Sequence, residues 1–189
     1  KKSLAMGADE LVLLQDNSFI NSLDSYFTAS VLAKAISKLG KFDLIISGRQ
    51  ASDWDNAQVH LGIAECLKIP CITVVKSVEV KEDKVIAQRI VPEGYELVDC
   101  SLPTMVTVSN ELGLPRYPTL KGIMAAARKD PIVWNAEDLD INGVQFSSRV
   151  NIVHLFVRTS DRQCQFIEGN TDEEKGQNLA LKLRESKVI

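Results

Sequence analysis

Three short apolar runs, separated by stretches with helical periodicity, constrain the fold of this chain more than any other feature of the sequence. The runs cover residues 10–14, 42–47 and 71–75. Between the first two, residues 24–39 repeat apolar side chains at helical spacing and end at Gly40. A second helical pattern separates the last two runs. Strands that alternate with helices pair in parallel and need helices on both faces of the sheet. The sequence therefore predicts an open α/β fold.

The periodicity then changes to that of antiparallel strands. Residues 78–91 contain two extended segments on either side of Glu82-Asp83, a pair typical of a hairpin turn. Residues 95–100 add another extended piece, and residues 102–108 form an apolar run that returns to the main sheet. We therefore expect an open, mostly parallel sheet flanked by helices, with an antiparallel addition at one edge.

The remainder of the chain is predicted to be an extended arm that ends in a helix. Pro115 and Pro118 oppose helix formation, and a short helix is expected over residues 119–129. Residues 150–157 form a further candidate strand. Residues 171–174 read Thr-Asp-Glu-Glu, a capping box that predicts the start of the final helix.

Composition excludes several function classes. The chain has 189 residues, of which 45% are hydrophobic and 25% charged, and its net charge is −3. It has no basic excess of the kind that nucleic-acid binding requires. Because no apolar run reaches the length of a membrane helix, a soluble cytoplasmic protein is expected. The four cysteines form no CxxC pair, so neither a zinc site nor any other metal site is expected.

The loop that follows the second apolar run is the best candidate for a binding site. In open α/β sheets, ligands bind outside the carboxyl ends of the strands, and the next helix presents free N–H groups there. Gly48 permits close approach of the backbone, Arg49 adds charge, and Asn56 and Gln58 offer amide groups. The alternative is an ordinary loop in which Asp53 or Asp55 caps the following helix. The pattern alone leaves both interpretations open.

The sequence offers little that suggests catalysis. It contains no GxSxG motif, no P-loop and no GxGxxG motif. His60 has no evident serine or cysteine partner, so it is interpreted as a packing or surface histidine. Trp54 is placed where an aromatic ring either stacks on an adenine or covers the sheet edge. Two carboxylates on one loop, Asp53 and Asp55, are insufficient to predict Mg²⁺ binding.

Two segments carry a resemblance to a known family. Residues 106–126, VTVSNELGLPRYPTLKGIMAA, closely resemble the signature of electron transfer flavoprotein beta subunits. Residues 47–59, SGRQASDWDNAQV, look like the nucleotide loop of that family, and residues 4–9, LAMGAD, match the stretch before its third strand. The order and spacing of these segments agree over nearly the whole chain.

The resemblance implies an electron carrier subunit without turnover of its own. It implies a heterodimer with an alpha subunit, which holds most of the FAD site, and an adenine-nucleotide-binding, Rossmann-like domain over residues 1–130 of this chain. That domain would lack the first strand and helix of the family, as in an N-terminally truncated subunit. Residues 131–189 would be the arm and helix that contact the alpha subunit. The nucleotide would be AMP or, as in electron-bifurcating members, a second FAD. The electron donor would be a flavin dehydrogenase such as an acyl-CoA dehydrogenase.

Specific residues follow from the same resemblance. The nucleotide would contact Gly48, Arg49, Gln50, Asp53, Asn56, Ala57, Gln58 and Val59. The dehydrogenase would dock on Tyr117, Leu120, Ile123 and Met124, with Leu120 as the apolar anchor; the alternative is that Leu120 packs against its own helix. Many members that bind a second flavin have Gly-Pro where this chain has His60-Leu61, which favours AMP. A stand-alone module similar to the universal stress proteins is the competing interpretation, but it requires a glycine-rich loop late in the chain.

Overall fold

The computed structural model describes residues 1–20, 24–141, 149–159 and 164–189. These residues form two compact units, Lys1–Asn151 and Ile152–Ile189. No helix in the described ranges is both long enough and apolar enough to cross a membrane.

The order of secondary-structure elements follows the predicted alternation. The helices are α1 (Lys2–Ala5), α2 (Asn17–Ile20), α3 (Ser25–Leu39), α4 (Val59–Leu67), α5 (Leu120–Ala127) and α6 (Asp172–Glu185). The strands are β1 (Val12–Leu14), β2 (Leu44–Gly48), β3 (Cys71–Lys81), β4 (Lys84–Val91), β5 (Gly94–Ser101), β6 (Thr104–Val108) and β7 (Ile132–Trp134). Two 3-10 turns cover Asn110–Leu112 and Glu137–Leu139.

The main sheet has five strands in the order β2-β6-β3-β4-β5. Strand β6 pairs in parallel with both β2 and β3, whereas β3, β4 and β5 pair antiparallel. Strands β1 and β7 form a separate parallel pair. The predicted open α/β sheet with an antiparallel addition at one edge is therefore confirmed. The hairpin turn lies where it was expected, with Glu82 in a left-handed conformation at φ 47°.

Strand β6 lies between β2 and β3, at the centre of the parallel part of the sheet, and its sequence, TMVTV, suits burial on both faces. Met105 and Val106 are buried on opposite faces. The two buried threonine hydroxyls are satisfied: the Thr104 hydroxyl donates to the Pro70 carbonyl over 3.1 Å, and the Thr107 hydroxyl accepts from the Val74 N–H over 2.9 Å. Because each of these two hydroxyls has a hydrogen-bond partner, the threonines are tolerated in the core.

Helices α3 and α4 pack unusually closely on one face of the sheet. A Cβ built on Gly62 would lie 2.6 Å from the Cβ of Ala29, so only glycine fits at this crossing. Asp24 accepts a hydrogen bond from the Tyr26 N–H over 2.9 Å and caps α3. This close packing brings the first turns of α3 and α4 together beside the end of β2.

The second unit differs in part from the sequence-based expectation. Described residues 150–157 form no strand, and Val153 and Phe156 are highly exposed. A strand requires a neighbour to satisfy its ladder, and no described strand pairs with this segment. Residues 142–148 and 160–163 of the predicted arm lie outside the described residues.

The final helix begins where the capping box placed it. The Thr171 hydroxyl accepts from the Glu174 N–H over 3.2 Å. The Glu174 carboxylate reaches one residue further back than the usual box and accepts from the Asn170 N–H over 2.8 Å.

Candidate functional site

A cleft of about 590 Å³ lies at the carboxyl end of β2, between the β2–α4 loop and the first half of α3. All eight residues that the sequence analysis assigned to the nucleotide line this cleft. They are Gly48, Arg49, Gln50, Asp53, Asn56, Ala57, Gln58 and Val59. The wall is completed by side chains that were not assigned to the nucleotide: Ser25, Thr28, Leu32, Ser47, Ala51, Trp54, His60 and Ile63.

The loop is held in shape by its own hydrogen bonds. The Arg49 N–H extends the sheet by donating to the Val108 carbonyl over 3.0 Å. The Asp55 N–H donates to the Ala51 carbonyl over 3.0 Å, and the Gln50 side-chain amide donates to the Asp55 carboxylate over 2.8 Å. Asp55 and Ala57 both adopt left-handed backbone conformations, at φ 51° and 49°. For a residue with a Cβ this conformation costs about 1 kcal/mol, and such strain is common in ligand-binding loops.

Helix α4 begins at the cleft without a side-chain cap. Its N-cap residue is Gln58, whose side chain makes no capping hydrogen bond, and its first turn contains no acidic residue. The prediction that Asp53 or Asp55 caps the helix is therefore wrong. The Asp53 carboxylate accepts from the Trp54 N–H over 2.9 Å, and Asp55 is engaged by Gln50. The free N–H groups and the positive end of the helix dipole consequently remain available at the cleft.

His60, which the sequence analysis interpreted as a packing or surface histidine, is one of the lining residues that were not assigned to the nucleotide. It lies on the first turn of α4 and is only 5% exposed. Burial lowers the pKa of the His60 imidazole, so the ring is neutral at pH 7. The available signal was its helical spacing from Ile63 and Ala64, which places all three on the buried face of α4.

The four predicted docking residues form an apolar patch on the segment that contains α5. Tyr117 is 92% exposed and Leu120 is 75% exposed, while Ile123 and Met124 are about half exposed. Leu120 therefore does not pack into its own helix. The Thr119 hydroxyl caps α5 by accepting from the Gly122 N–H over 3.0 Å. The opposite side of α5 rests on α1, where a Cβ on Gly122 would lie 2.4 Å from the Ala5 carbonyl oxygen.

Comparison with known proteins agrees with this architecture. The family model described as "Electron transfer flavoprotein domain" matches residues 1–139. The chain is 39% identical over 193 residues to the electron transfer flavoprotein subunit beta of Thermoanaerobacterium thermosaccharolyticum, an alignment that covers 100% of this chain and 73% of the relative. It is 36% identical over 193 residues to the caffeyl-CoA reductase-Etf complex subunit CarD of Acetobacterium woodii, with the same two shares. It is 34% identical over 200 residues to the acryloyl-CoA reductase electron transfer subunit gamma of Anaerotignum propionicum, covering 100% of this chain and 74% of the relative.

The sheet order and flanking helices define an α/β protein of Rossmann-like class. Within that class, the chain belongs to the electron transfer flavoprotein family, among its beta subunits. Its function is accordingly electron transfer, and this membership decides against a stand-alone module similar to the universal stress proteins.

Proposed function

We propose that this chain binds AMP in the cleft between the β2–α4 loop and α3, and that it pairs with an alpha subunit that holds most of a redox-active FAD. The pair would carry electrons from a flavin dehydrogenase, with the chemistry supplied by the FAD. The observation that carries the proposal is the convergence of all eight candidate nucleotide residues on one cleft at the uncapped start of α4.

The chemistry of the cleft suits a phosphate group. The free N–H groups of the first turn of α4 are donors, and the helix dipole favours an anion at that position. The Arg49 guanidinium also lines the cleft and forms no ion pair with any other described residue, which leaves its charge for a ligand. A Cβ on Gly48 would meet no atom within 4 Å, so the backbone at the end of β2 is open to close approach.

The remaining walls suit an adenosine group. Leu32, Ile63 and the ring of Trp54 supply apolar and aromatic surface, and Gln58 and Asn56 supply amides. Such a mixture, largely apolar with a few polar groups, is typical of small-molecule sites. AMP is preferred over a second FAD because, by the family resemblance, the bulky His60 stands where many members that bind a second flavin have glycine.

The exposed patch on α5 is proposed to dock the electron donor. Tyr117, Leu120, Ile123 and Met124 offer rigid apolar side chains to a protein partner, and Leu120 would enter a pocket of that partner as the anchor. Two relatives are named as parts of acyl-CoA reductase systems. These names support an enzyme of acyl-CoA substrates as the partner that exchanges electrons with the complex, and the proposed donor is a flavin dehydrogenase of that substrate class.

Co-expression with an electron transfer flavoprotein alpha subunit tests the proposal. The purified complex is denatured, and the released nucleotides are identified and counted by chromatography. We expect one FAD and one AMP per heterodimer. Two FAD per heterodimer would show that the cleft binds a second flavin rather than AMP. One FAD without AMP would contradict nucleotide binding by the cleft. Failure of the two chains to co-purify would contradict the heterodimer.

A further inference from the structure

His60 presents a buried polar group to the cleft without a partner of its own. Its side chain lines the cleft, and the residue is only 5% exposed. It makes no hydrogen bond or ion pair to any described residue. Buried polar side chains are nearly always hydrogen-bonded, because an imidazole that leaves water without a partner loses its solvation without compensation. The missing partner is therefore expected among the molecules that enter the cleft.

The position of His60 on α4 indicates which part of a ligand it meets. It is the second residue of the helix, and side chains in a helix lean toward the N-terminus. The imidazole thus lies on the same turn as the free backbone N–H groups, where an anion is favoured.

We propose that His60 is a phosphate-contacting residue whose ring N–H donates a hydrogen bond to the phosphate of the bound nucleotide, and that it selects phosphorylated over unphosphorylated ligands. The inference rests on the proposed function, because it assumes that the cleft binds an adenine nucleotide. It adds a specificity residue that lies outside the eight assigned from sequence.

Few other charged groups face His60. The loop contributes Arg49 and Asp53 to the same cleft, while α3 contributes the uncharged side chains Ser25, Thr28 and Leu32. Strand β6 is uncharged throughout, and Cys71 of β3 has a thiol pKa that burial raises, so it is neutral near pH 7. A phosphate beside the ring would consequently be the main group that favours its protonated form.

A pH dependence with a defined sign follows. In the free chain, burial holds the His60 pKa below its ordinary value, and a bound phosphate raises it. The complex therefore binds more protons than the free chain between these two pKa values, and phosphate binding strengthens as pH falls through that window. Near neutral pH the neutral ring still donates one hydrogen bond.

Calorimetric titration of the whole chain with AMP and with adenosine tests the proposal in wild type, His60→Ala and His60→Gln. We expect His60→Ala to weaken AMP binding about tenfold or more, the usual cost of one hydrogen bond to a charged group, and to leave adenosine binding within about twofold. His60→Gln retains a donor and should recover most of the AMP affinity. It cannot titrate, so it should lose the additional strengthening of AMP binding that wild type shows as pH falls.

The matched control is His154→Gln, which changes the other histidine and should bind AMP as wild type does. If His60→Ala weakens the binding of AMP and of adenosine equally, the phosphate contact is overturned and the proposed function stands. The same conclusion follows if wild type binds AMP and neither His60 variant alters that binding. If wild type binds no AMP, both are overturned. Circular dichroism of each variant separates loss of the contact from loss of the fold.

Discussion

The cleft and the exposed apolar patch formed by Tyr117, Leu120, Ile123 and Met124 lie in the same compact unit but differ in shape and chemistry. The cleft is concave, its loop is fixed by internal hydrogen bonds, and its polar groups include a buried imidazole and an uncapped helix start. The patch lies on the segment that contains α5, and its side chains Tyr117 and Leu120 are 92% and 75% exposed. A concave, largely apolar cleft with a few polar groups suits a small ligand with a charged end, whereas exposed apolar side chains suit a protein partner. The proposed cofactor cleft and the proposed partner surface therefore use different residues of the same unit.

The largest expected loss of stability comes from substitution of two glycines, Gly62 beside the cleft and Gly122 beneath the patch on α5. Gly62→Ala puts a Cβ 2.6 Å from the Cβ of Ala29 and forces α3 and α4 apart. Gly122→Ala puts a Cβ 2.4 Å from the Ala5 carbonyl oxygen and forces α5 away from α1. Each should lower the free energy of unfolding by about 1–3 kcal/mol in urea denaturation. Gly62→Ala should also lose AMP binding, and Gly122→Ala should lose reduction by the dehydrogenase.

The control for this pair is Gly176→Ala on α6, where a Cβ meets no atom within 4 Å. It should be neutral or stabilising by up to about 1 kcal/mol, since alanine favours helix. If Gly62→Ala abolished reduction by the dehydrogenase but left AMP binding intact, the assignment of Gly62 to the cleft would be contradicted.

A smaller effect is expected from Leu120→Ala in the complex with the alpha subunit. Removal of an apolar anchor should slow flavin reduction by the dehydrogenase about tenfold or more, equivalent to at least about 1.4 kcal/mol, as followed by stopped-flow absorbance. Because Leu120 is 75% exposed, the free energy of unfolding and the AMP content should change little.

Leu97→Ala on β5 is the matched control, because Leu97 is similarly exposed at 68% but lies outside the patch. Equal slowing by both variants would indicate a general surface effect rather than an anchor at Leu120.

The smallest effect tests the strain in the cleft loop. Ala57 is left-handed at φ 49°, a conformation that glycine adopts without steric cost. Ala57→Gly should therefore raise the free energy of unfolding slightly, by at most about 1 kcal/mol, because relief of strain outweighs the added chain entropy. The same change at Ala125, inside α5, should lower it by about 0.5–1 kcal/mol. A loss of stability at both positions in thermal denaturation would argue against strain at Ala57.

The sequence predicted the sheet well because its signals are local. The strand–helix alternation, the hairpin at Glu82 and the Thr171 cap each depend on a few adjacent residues, and each lies where it was expected. The strand predicted over residues 150–157 failed because a strand also needs a neighbour, which the local pattern does not reveal.

The candidate site was predicted in part. The residues along the loop from Gly48 to Val59 could be placed at a strand end from their order alone, and all eight candidates line one cleft. The capping of α4 could not be predicted from the order of the residues. Asp53 and Asp55 have local hydrogen-bond partners, the Trp54 N–H and the Gln50 side-chain amide, and the path of the loop decides that they bind these rather than the helix. The contribution of Ser25, Thr28 and Leu32 on α3, which precedes the loop in the chain, was not predictable from the loop sequence.

By itself the sequence determined the α/β order, the antiparallel edge and the family, since these depend on periodicity and on motifs read along the chain. Only the tertiary structure decided that His60 is buried beside the cleft with no hydrogen-bond partner among the described residues, that Leu120 faces solvent, and that Gly62 lets two helices touch. These properties depend on which distant surfaces meet. A residue's burial and hydrogen-bond partners are set by neighbours in space, which a one-dimensional pattern does not specify.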